Sequence, residues 1–354
     1  MAQTTRVAAC HAAPVFLSAR ETTAKAVDLI KQASAHGANL VVFPETFIAA
    51  FPIWSALRAP TENHEFFKRM ALESVYVDGD EINAVRAAAK ASGVIVSIGF
   101  SEKVRYSSAT LFNSNLLIDE QGKVLVHHRK LVATFFEKLT WAPGDGHGLQ
   151  VAETKHGKIG ALICGENTNP LARFALMAQG EQIHLSTWPA VWPTRLPKDT
   201  AAHGKANYDN ITANRTRAAA HCFEAKCFGV LCAGVLGEDA IQAIADGAPH
   251  LKELLEQAQR GATMFLDPTG APLPSFVIGE DTHEMEKVDC LQKTEGILYA
   301  DMNLEDCIEG KQYHDVVGGY QRMDVFQFAV NRTRQSPATF SDLPVPDSFG
   351  VGDD

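Results

Sequence analysis

The chain alternates short apolar runs with longer stretches in which apolar residues recur at helical spacing. Short apolar runs bounded by polar or turn residues predict buried strands, and the periodic stretches predict helices. Residues 111–117 and 123–126, joined at Gly122, predict a hairpin. The remaining strands are predicted at 6–10, 40–43, 94–99, 159–163, 183–187, 228–235, 262–266, 275–278 and 296–301, and the helices at 22–35, 81–92, 171–178 and 214–226. This alternation is typical of an α/β protein in which helices cover apolar sheets.

The length of 354 residues indicates one large domain with extensions. Single α/β domains reach roughly 250 to 300 residues, so the chain is long enough to bury a sizeable core. We predict one domain over 1–335. The last segment, 336–354, is rich in Pro, Ser and Asp, and we expect it to be a mobile tail.

The charge balance argues against nucleic acid and anionic membranes as partners. The chain has 32 Lys and Arg against 42 Asp and Glu, which gives a net charge of −10. No apolar run approaches the roughly 20 residues of a bilayer span, and the first ten residues lack a basic segment leading into an apolar core. We therefore expect a cytoplasmic protein.

The seven cysteines do not predict a disulfide framework, because their number is odd and they are scattered through a long chain. Cys222, Cys227 and Cys232 lie in apolar surroundings and are interpreted as core thiols rather than metal ligands. His127 and His128 would point to opposite faces of a strand, so joint ligation of a metal is not expected. No metal and no cofactor is predicted.

Three polar residues of catalytic type follow predicted strands. Cys164 ends the run IGALIC, Glu45 follows LVVFP, and Lys130 follows VLVHHR. Taken singly, Glu45 is as compatible with a structural carboxylate as with a catalytic one, and Lys130 is more often a surface lysine. Together they match a chemical need, since a thiol requires a base to activate it and a cation to stabilise the anion that its attack creates.

The stretches FPETF, HHRKL and ICGENTNP resemble, in order and spacing, the motifs of the nitrilase superfamily of carbon-nitrogen hydrolases. The similarity extends from Arg6 to about Val330. The stretch FPETFIAAFPIW is similar to the true nitrilase branch, where an aromatic-Pro-aromatic segment follows the glutamate. Two departures are that Gly165 stands where nitrilases commonly have Trp, and that LVAT replaces Met-Pro-Thr after the lysine.

The resemblance implies a role for each of these residues. Glu45 would be the general base, Lys130 the stabiliser of the anion and Cys164 the nucleophile. Glu137, in FFEKL, would be a second glutamate that supports the lysine, and the backbone N–H of Gly165 would help to bind the anion. The reaction would convert a nitrile into a carboxylic acid and ammonia through a thioimidate and then a thioester.

The resemblance also implies an αββα sandwich whose subunits pair into αββα-αββα dimers, and which in some members grows into spirals. Residues 315–331 would contribute to subunit contacts. Several aromatic residues are candidates for an apolar substrate pocket, or for plain core: Phe47, Phe51, Trp54, Trp188 and Trp192.

Three other functions stay open at this point. The same three residues would serve an amidase or carbamoylase, and a hydratase-type member would act on cyanide or stop at the amide. A non-catalytic scaffold is the more remote alternative, because a scaffold gains nothing from three reactive groups at strand ends.

Overall fold

Two β-sheets form the centre of the protein, which a computed structural model describes over residues 4–192, 209–279 and 282–338. The larger sheet has eight strands in the order β12-β11-β13-β1-β2-β3-β4-β5, and the smaller has five in the order β10-β9-β8-β7-β6. The strands are β1 Thr4–His11, β2 Leu40–Val42, β3 Ile95–Lys103, β4 Leu111–Ile118, β5 Val124–Arg129, β6 Ala152–Thr154, β7 Gly157–Ile163, β8 Ile183–Trp188, β9 Phe228–Ala233, β10 Met264–Leu266, β11 Phe276–Ile278, β12 Met285–Lys287 and β13 Gly296–Asn303.

Parallel pairing occupies the middle of each sheet. Strands β1, β2 and β3 are parallel, as are β7, β8 and β9, while the outer pairs are antiparallel. Parallel strands are usually buried on both faces, which fits their continuous apolar sequences.

Helices lie between and beyond these strands. The α-helices of the described residues are α1 Ala19–Ala35, α2 Trp54–Leu57, α3 His64–Glu73, α4 Asp80–Ser92, α5 Pro170–Met177, α6 Asn210–Ala225, α7 Glu238–Ala245, α8 Pro249–Gln257 and α9 Asp306–Glu309. Short 3₁₀ helices span Pro60–Glu62, Phe135–Leu139, Gly146–Gly148, Cys164–Thr168 and Gly310–Gln312. Among the described helices none combines the length and apolar character needed to cross a bilayer.

The buried apolar clusters give the order of the layers. One cluster joins Val7 and Val42 of the larger sheet to Ile183 and Val230 of the smaller, so the two sheets pack face to face. A second cluster packs the other face of the larger sheet against α1 and α4. The smaller sheet packs its outer face against α5 and α6. The predicted αββα sandwich is therefore confirmed.

The predicted strands and helices are present, with ends displaced by a few residues. Helix α4 ends before Gly93, which has φ +65°, and the hairpin turns at Gly122, φ +76°. The sequence analysis did not predict α3, α7 and α8. These helices pack around a separate apolar cluster that contains Met70, Ile241 and Leu251. Residues 339–354, most of the predicted tail, lie outside the described residues.

The three evenly spaced cysteines are core residues. Cys222, Cys227 and Cys232 are fully buried, and none of the cysteines within the described residues is in a disulfide. Cys222 packs beside Gly229, where an added Cβ would lie 2.5 Å from its sulfur. Cys222 fills space between helix α6 and the smaller sheet, and Cys232 lies between the two sheets, as expected of buried cysteine.

Candidate active site

The two sheets bring the three predicted strand-end residues into one buried site. Lys130 follows β5 and Glu45 lies just beyond β2, both in the larger sheet. Cys164 follows β7 of the smaller sheet. All three are buried, with at most 6% of any residue exposed. Groups that are 119 positions apart in the chain therefore share one site only because the sheets pack on each other.

Lys130 forms the centre of the site. Its Nζ donates to Glu45 Oε1 at 2.7 Å and to Glu137 Oε2 at 2.7 Å. Glu137 comes from the 3₁₀ helix Phe135–Leu139, and its Oε2 also accepts from the backbone N–H of Thr134 at 2.9 Å. Buried charges in proteins are usually paired with opposite charges, and here one buried cation lies between two buried carboxylates.

Glu45 has one oxygen occupied and one available. Oε1 accepts from Lys130 and from Asn113 Nδ2, the latter at 2.7 Å. Oε2 has no hydrogen-bond partner among the described residues. One carboxylate oxygen each of Glu45 and Glu137 and the Cys164 sulfur all lie within 4.8 Å of one another. The Glu45 carboxylate is thus near enough to receive the thiol proton after a small adjustment.

The backbone is locally strained where these residues project. Cys164 has φ +52° and Thr46, next to Glu45, has φ +46°, values that side-chain-bearing residues rarely adopt. Gly99 of β3 lets the turn around Glu45 approach closely, since a Cβ there would lie 2.5 Å from Pro44 O and Thr46 N. The strain and the close approach therefore coincide with the turns that carry Glu45 and Cys164.

The electrostatics of the site follow from burial. Burial raises the pKa of Glu45 to about 7, with Lys130 opposing the shift and Glu137 adding to it. Burial and the charge of Glu45 raise the pKa of the Cys164 thiol well above its usual value, against the effect of Lys130. Burial alone would lower the pKa of Lys130, but the neighbouring acidic groups raise it well above its usual value. The thiol is therefore protonated at rest and needs a base, which Glu45 can supply near neutral pH.

A second buried network holds the turn of the nucleophile. Asn167 Nδ2 donates to Cys164 O at 3.0 Å, and its Oδ1 pairs with His184 Nε2 at 2.8 Å. His184 Nδ1 and His221 Nε2 then pair with the two oxygens of Glu181 at 2.9 and 2.6 Å. This network links the strained turn to β8 and α6.

Neither cluster of ligand-type atoms fits a metal ion well. Glu181, His184 and His221 have such atoms within 4.8 Å of one another, but the two imidazole rings stack at 3.6 Å with planes 16° apart. Stacked rings do not aim two nitrogens at one tetrahedral ion. In the other cluster, the ammonium of Lys130 already lies between Glu45 and Glu137.

The predicted pocket aromatics have different positions. Phe51 and Phe47 line a cavity that reaches Glu45. Trp192 packs on Phe136, with 4.8 Å between the ring centroids. Trp188 is buried in the apolar cluster that contains Cys164. Trp54 instead stacks on Phe66 at 5.6 Å, within the cluster formed by the outer helices.

The glycine after the nucleophile faces Thr134. A Cβ on Gly165 would lie 2.8 Å from Thr134 Oγ1, which is closer than side chains tolerate. Thr134 belongs to LVAT, the other stretch that departs from the nitrilase motif. The two departures therefore occupy neighbouring positions in space, and a larger residue at 165 would require the Thr134 side chain to shift.

Sequence reasoning missed three residues that contact the site. Asn113 interrupts the apolar strand β4, and Glu166 and Asn167 are fully polar yet directly follow a buried strand. Each is at least 94% buried. A polar residue inside or immediately after an apolar run is the signal that could have identified them, because burying it without a partner is costly.

Comparison with known proteins identifies the family that the chain resembles. The carbon-nitrogen hydrolase family matches residues 6–312. A nitrilase of Penicillium rubens is 31% identical over 96% of this chain and 97% of its own. A bromoxynil-specific nitrilase of Klebsiella pneumoniae subsp. ozaenae is 34% identical over 95% of this chain and 87% of its own. An arylacetonitrilase of Hypocrea virens is 31% identical over 92% of each chain.

Solved structures show the same fold at greater sequence distance. A carbon-nitrogen hydrolase of Helicobacter pylori aligns with a TM-score of 0.65 at 19% identity, covering 92% of this chain and 97% of its own. The NitFhit protein of C. elegans aligns with a TM-score of 0.66 at 17% identity, covering 95% of this chain and 70% of its own. With the family match over most of its length and relatives above 30% identity, this chain belongs to the carbon-nitrogen hydrolases of the nitrilase superfamily.

Proposed function

We propose that this protein is a nitrilase, which hydrolyses an organic nitrile to the carboxylic acid and ammonia. The observation that carries the proposal is the buried group in which Lys130 binds Glu45 and Glu137 while the Cys164 sulfur lies beside both carboxylates. The names of the similar proteins support the choice of a nitrile over an amide.

The first half of the reaction forms a covalent intermediate. Glu45 takes the proton of the Cys164 thiol while the sulfur bonds to the nitrile carbon. The nitrile nitrogen becomes anionic, is stabilised by Lys130 and the backbone N–H of Gly165, and takes the proton from Glu45 to give a thioimidate, which returns Glu45 to its carboxylate form. Donors placed in this way typically contribute roughly 10²- to 10³-fold in rate each.

The second half releases the products. Glu45 removes a proton from water, which adds to the thioimidate carbon, and the nitrogen leaves as ammonia to give a thioester. A second water, activated by the same carboxylate, breaks the carbon–sulfur bond. The carboxylic acid leaves and the Cys164 thiol is restored, so two waters are consumed for each nitrile.

The cavity beside Glu45 supports an uncharged substrate with an apolar group. Among the described residues, Glu45 is the only ionisable side chain that lines it. The others are apolar or small, and include Phe16, Phe47, Phe51, Ile53, Val191 and Leu236. A charged substituent would lose its hydration there, and its one possible ionic partner among the described lining residues is Glu45, whose carboxylate the reaction requires. We propose that Phe51 contacts the apolar group of the nitrile.

The proposal is tested by product analysis on purified protein. A panel of aliphatic, aromatic and arylacetonitriles, their amides and cyanide is incubated with wild type and Cys164→Ala, and ammonia and products are measured by mass spectrometry. Cys10→Ala is the matched control, because it removes another buried sulfur, one that packs between the larger sheet and its helices. We expect acid from nitriles with wild type and Cys10→Ala, and none with Cys164→Ala.

Other outcomes would contradict the nitrilase assignment. Activity on amides alone indicates an amidase or carbamoylase, and an amide as the sole product indicates a hydratase-type member. Wild-type ammonia release from Cys164→Ala would exclude Cys164 as the nucleophile. A charged nitrile hydrolysed faster than its neutral analogue would contradict the proposed pocket.

We also propose that the protein forms homodimers, and from them larger spirals, through residues 315–331. This segment exposes large apolar side chains, including Tyr320, Met323 and Phe326, each at least 68% exposed. Phe326→Asp should lower the molar mass measured by light scattering, while Leu72→Asp, at an exposed leucine of α3, should not. An unchanged mass for Phe326→Asp would exclude this segment. A cytoplasmic location remains part of the proposal and is testable by fractionation.

A further inference from the structure

We infer that Glu166 is a positioning residue, which fixes the separation between the strand ends that carry Lys130 and Cys164. The inference rests on the roles proposed above for these two residues. Glu166 lies two positions after Cys164, and only 3% of its side chain is exposed.

The carboxylate of Glu166 cross-links the two sheets. Its Oε2 accepts from the backbone N–H of Ile163 at 2.8 Å, and its Oε1 from the backbone N–H of Leu131 at 2.5 Å. Ile163 directly precedes Cys164 in the smaller sheet, and Leu131 directly follows Lys130 at the edge of the larger sheet. One side chain thus contacts the immediate neighbours of both proposed reactive residues.

A third donor completes the arrangement. His128 Nε2 lies 2.9 Å from Glu166 Oε2. His128 is part of β5, and Lys130 follows it two positions later, just after the strand ends. Burial alone would raise the pKa of Glu166, but His128 and the two backbone N–H groups lower it, so the group is a carboxylate with three partners. Charge-assisted hydrogen bonds of this kind are shorter and stronger than neutral ones.

The core between the sheets is mainly apolar, and apolar packing alone resists small displacements only weakly; directional bonds across it among the described residues are few, such as that between His11 Nδ1 and Ala233 O at 2.8 Å. The cluster between the sheets consists of aliphatic and aromatic side chains such as Val42, Ile183 and Phe228. Directional bonds at Glu166 supply what this packing lacks, at the place where the distance between sulfur and ammonium matters. A misplacement of about 1 Å in an active site can cost roughly 10²-fold in rate.

The test substitutes Glu166→Gln in a Cys290→Ser background, because Cys290 is an exposed thiol that would otherwise react. The amide that replaces the carboxylate of Glu166 has one oxygen and one NH₂ group. The NH₂ group cannot accept from the N–H donors that it faces, so the hydrogen bonds to one of the two sheets are lost. We expect kcat on a nitrile to fall about 10²-fold with KM within about 3-fold of wild type. The rate of Cys164 alkylation by iodoacetamide, followed by mass spectrometry, should fall as well.

A matched control separates positioning from stability. Leu304→Ala opens the core at the opposite end of β7, where Leu304 packs on Gly157. That end is roughly 20 Å from Cys164 at about 3.3 Å per strand residue. This variant should lower the melting temperature while keeping the wild-type alkylation rate and kcat. Glu166→Asp keeps the charge but is too short to reach both sheets, so it should resemble Glu166→Gln.

The inference is overturned if Glu166→Gln keeps the wild-type alkylation rate and kcat, or if Leu304→Ala of equal melting temperature loses both to the same extent. If neither Glu166 variant folds, His128→Asn serves instead, because it removes one partner and leaves both backbone donors; unchanged alkylation there would overturn the inference. Alkylation requires no nitrile. If iodoacetamide alkylates Cys164 of the wild type but the protein hydrolyses no nitrile, the proposed function is refuted. The alkylation rates of the Glu166 variants can still be compared in that case.

Discussion

Replacing Lys130 with Met should destabilise the protein in a way that depends on pH. The side chains of Lys130 and its two carboxylate partners are at most 1% exposed, so the substitution leaves Glu45 and Glu137 buried without their shared cation. Removing one partner of a buried ion pair typically costs about 3 to 5 kcal/mol. For 354 residues, an unfolding entropy of about 2.1 cal/mol/K per residue makes this a fall of about 4 to 7 °C in melting temperature.

The pH dependence separates lost charge from lost packing. Without Lys130 the pKa of Glu45, already about 7 in the wild type, should rise further. A carboxyl group whose pKa is raised on folding stabilises the fold at low pH and destabilises it as pH increases through that value. Calorimetry should therefore show a larger deficit for Lys130→Met at about pH 8 than at about pH 5.

A double substitution provides the control. Lys130→Met with Glu137→Gln removes one of the two unpaired charges, and should recover part of the stability lost at pH 8 while remaining inactive. An equal deficit at both pH values, or no recovery in the double variant, would refute the electrostatic account of this site and indicate that Lys130 acts mainly through its volume.

Three further outcomes are expected. The value of kcat/KM should rise with pH through about 7 as Glu45 loses its proton, and a profile that is flat through this region would exclude Glu45 as the base. Gly165→Ala should lower kcat/KM about 10-fold, because its Cβ would lie 2.8 Å from Thr134 Oγ1, and adding Thr134→Ala should restore much of the loss; absence of rescue would show that the contact is not the cause. The melting temperature should fall as pH drops from about 6.5, because His221 and Glu181 must then take up protons on unfolding. Burial lowers the pKa of His221 to about 4; burial alone would raise the pKa of Glu181, but His184 and His221 lower it to about 2. Glu181→Gln should lower the melting temperature at neutral pH and flatten the part of this limb below about pH 4.5, where Glu181 takes up its own proton on unfolding; a limb unchanged from wild type in that range would contradict this origin.

Much of the secondary structure of the sandwich could be predicted from the sequence, because most strands and helices carry a local pattern of apolar and polar residues. The run from Ile159 to Ile163 is apolar throughout and ends in polar residues, which is sufficient to predict β7. Helices α7 and α8 also carry a local signal, because Ile241 and Ile244, and Leu251 and Leu255, recur at helical spacing, and the sequence analysis overlooked it. The apolar cluster that they join, which includes Trp54 and Trp141, is assembled from distant segments. Periodicity describes one segment at a time and does not register such a cluster.

The sequence predicted the residue types of the candidate site but not the contacts between them. Glu45, Lys130 and Cys164 were predicted because reactive residues at strand ends are costly unless they have partners or a function. Glu137 was included by resemblance alone, and its contact with Lys130 at 2.7 Å is a property of the folded chain. Asn113 was overlooked, since an Asn within a strand looks like a local irregularity until its amide is seen on Glu45.

The sequence by itself determined most of the strands and the helices that cover the two sheets, the reactive residue types and the motifs that place this chain among carbon-nitrogen hydrolases. Only the tertiary structure decided that Lys130 lies between two carboxylates, that Glu166 links the two sheets, and that Gly165 faces Thr134. The physical reason is that periodicity and turn chemistry act over a few residues, whereas hydrogen bonds, desolvation and pKa shifts depend on distances between segments far apart in the chain.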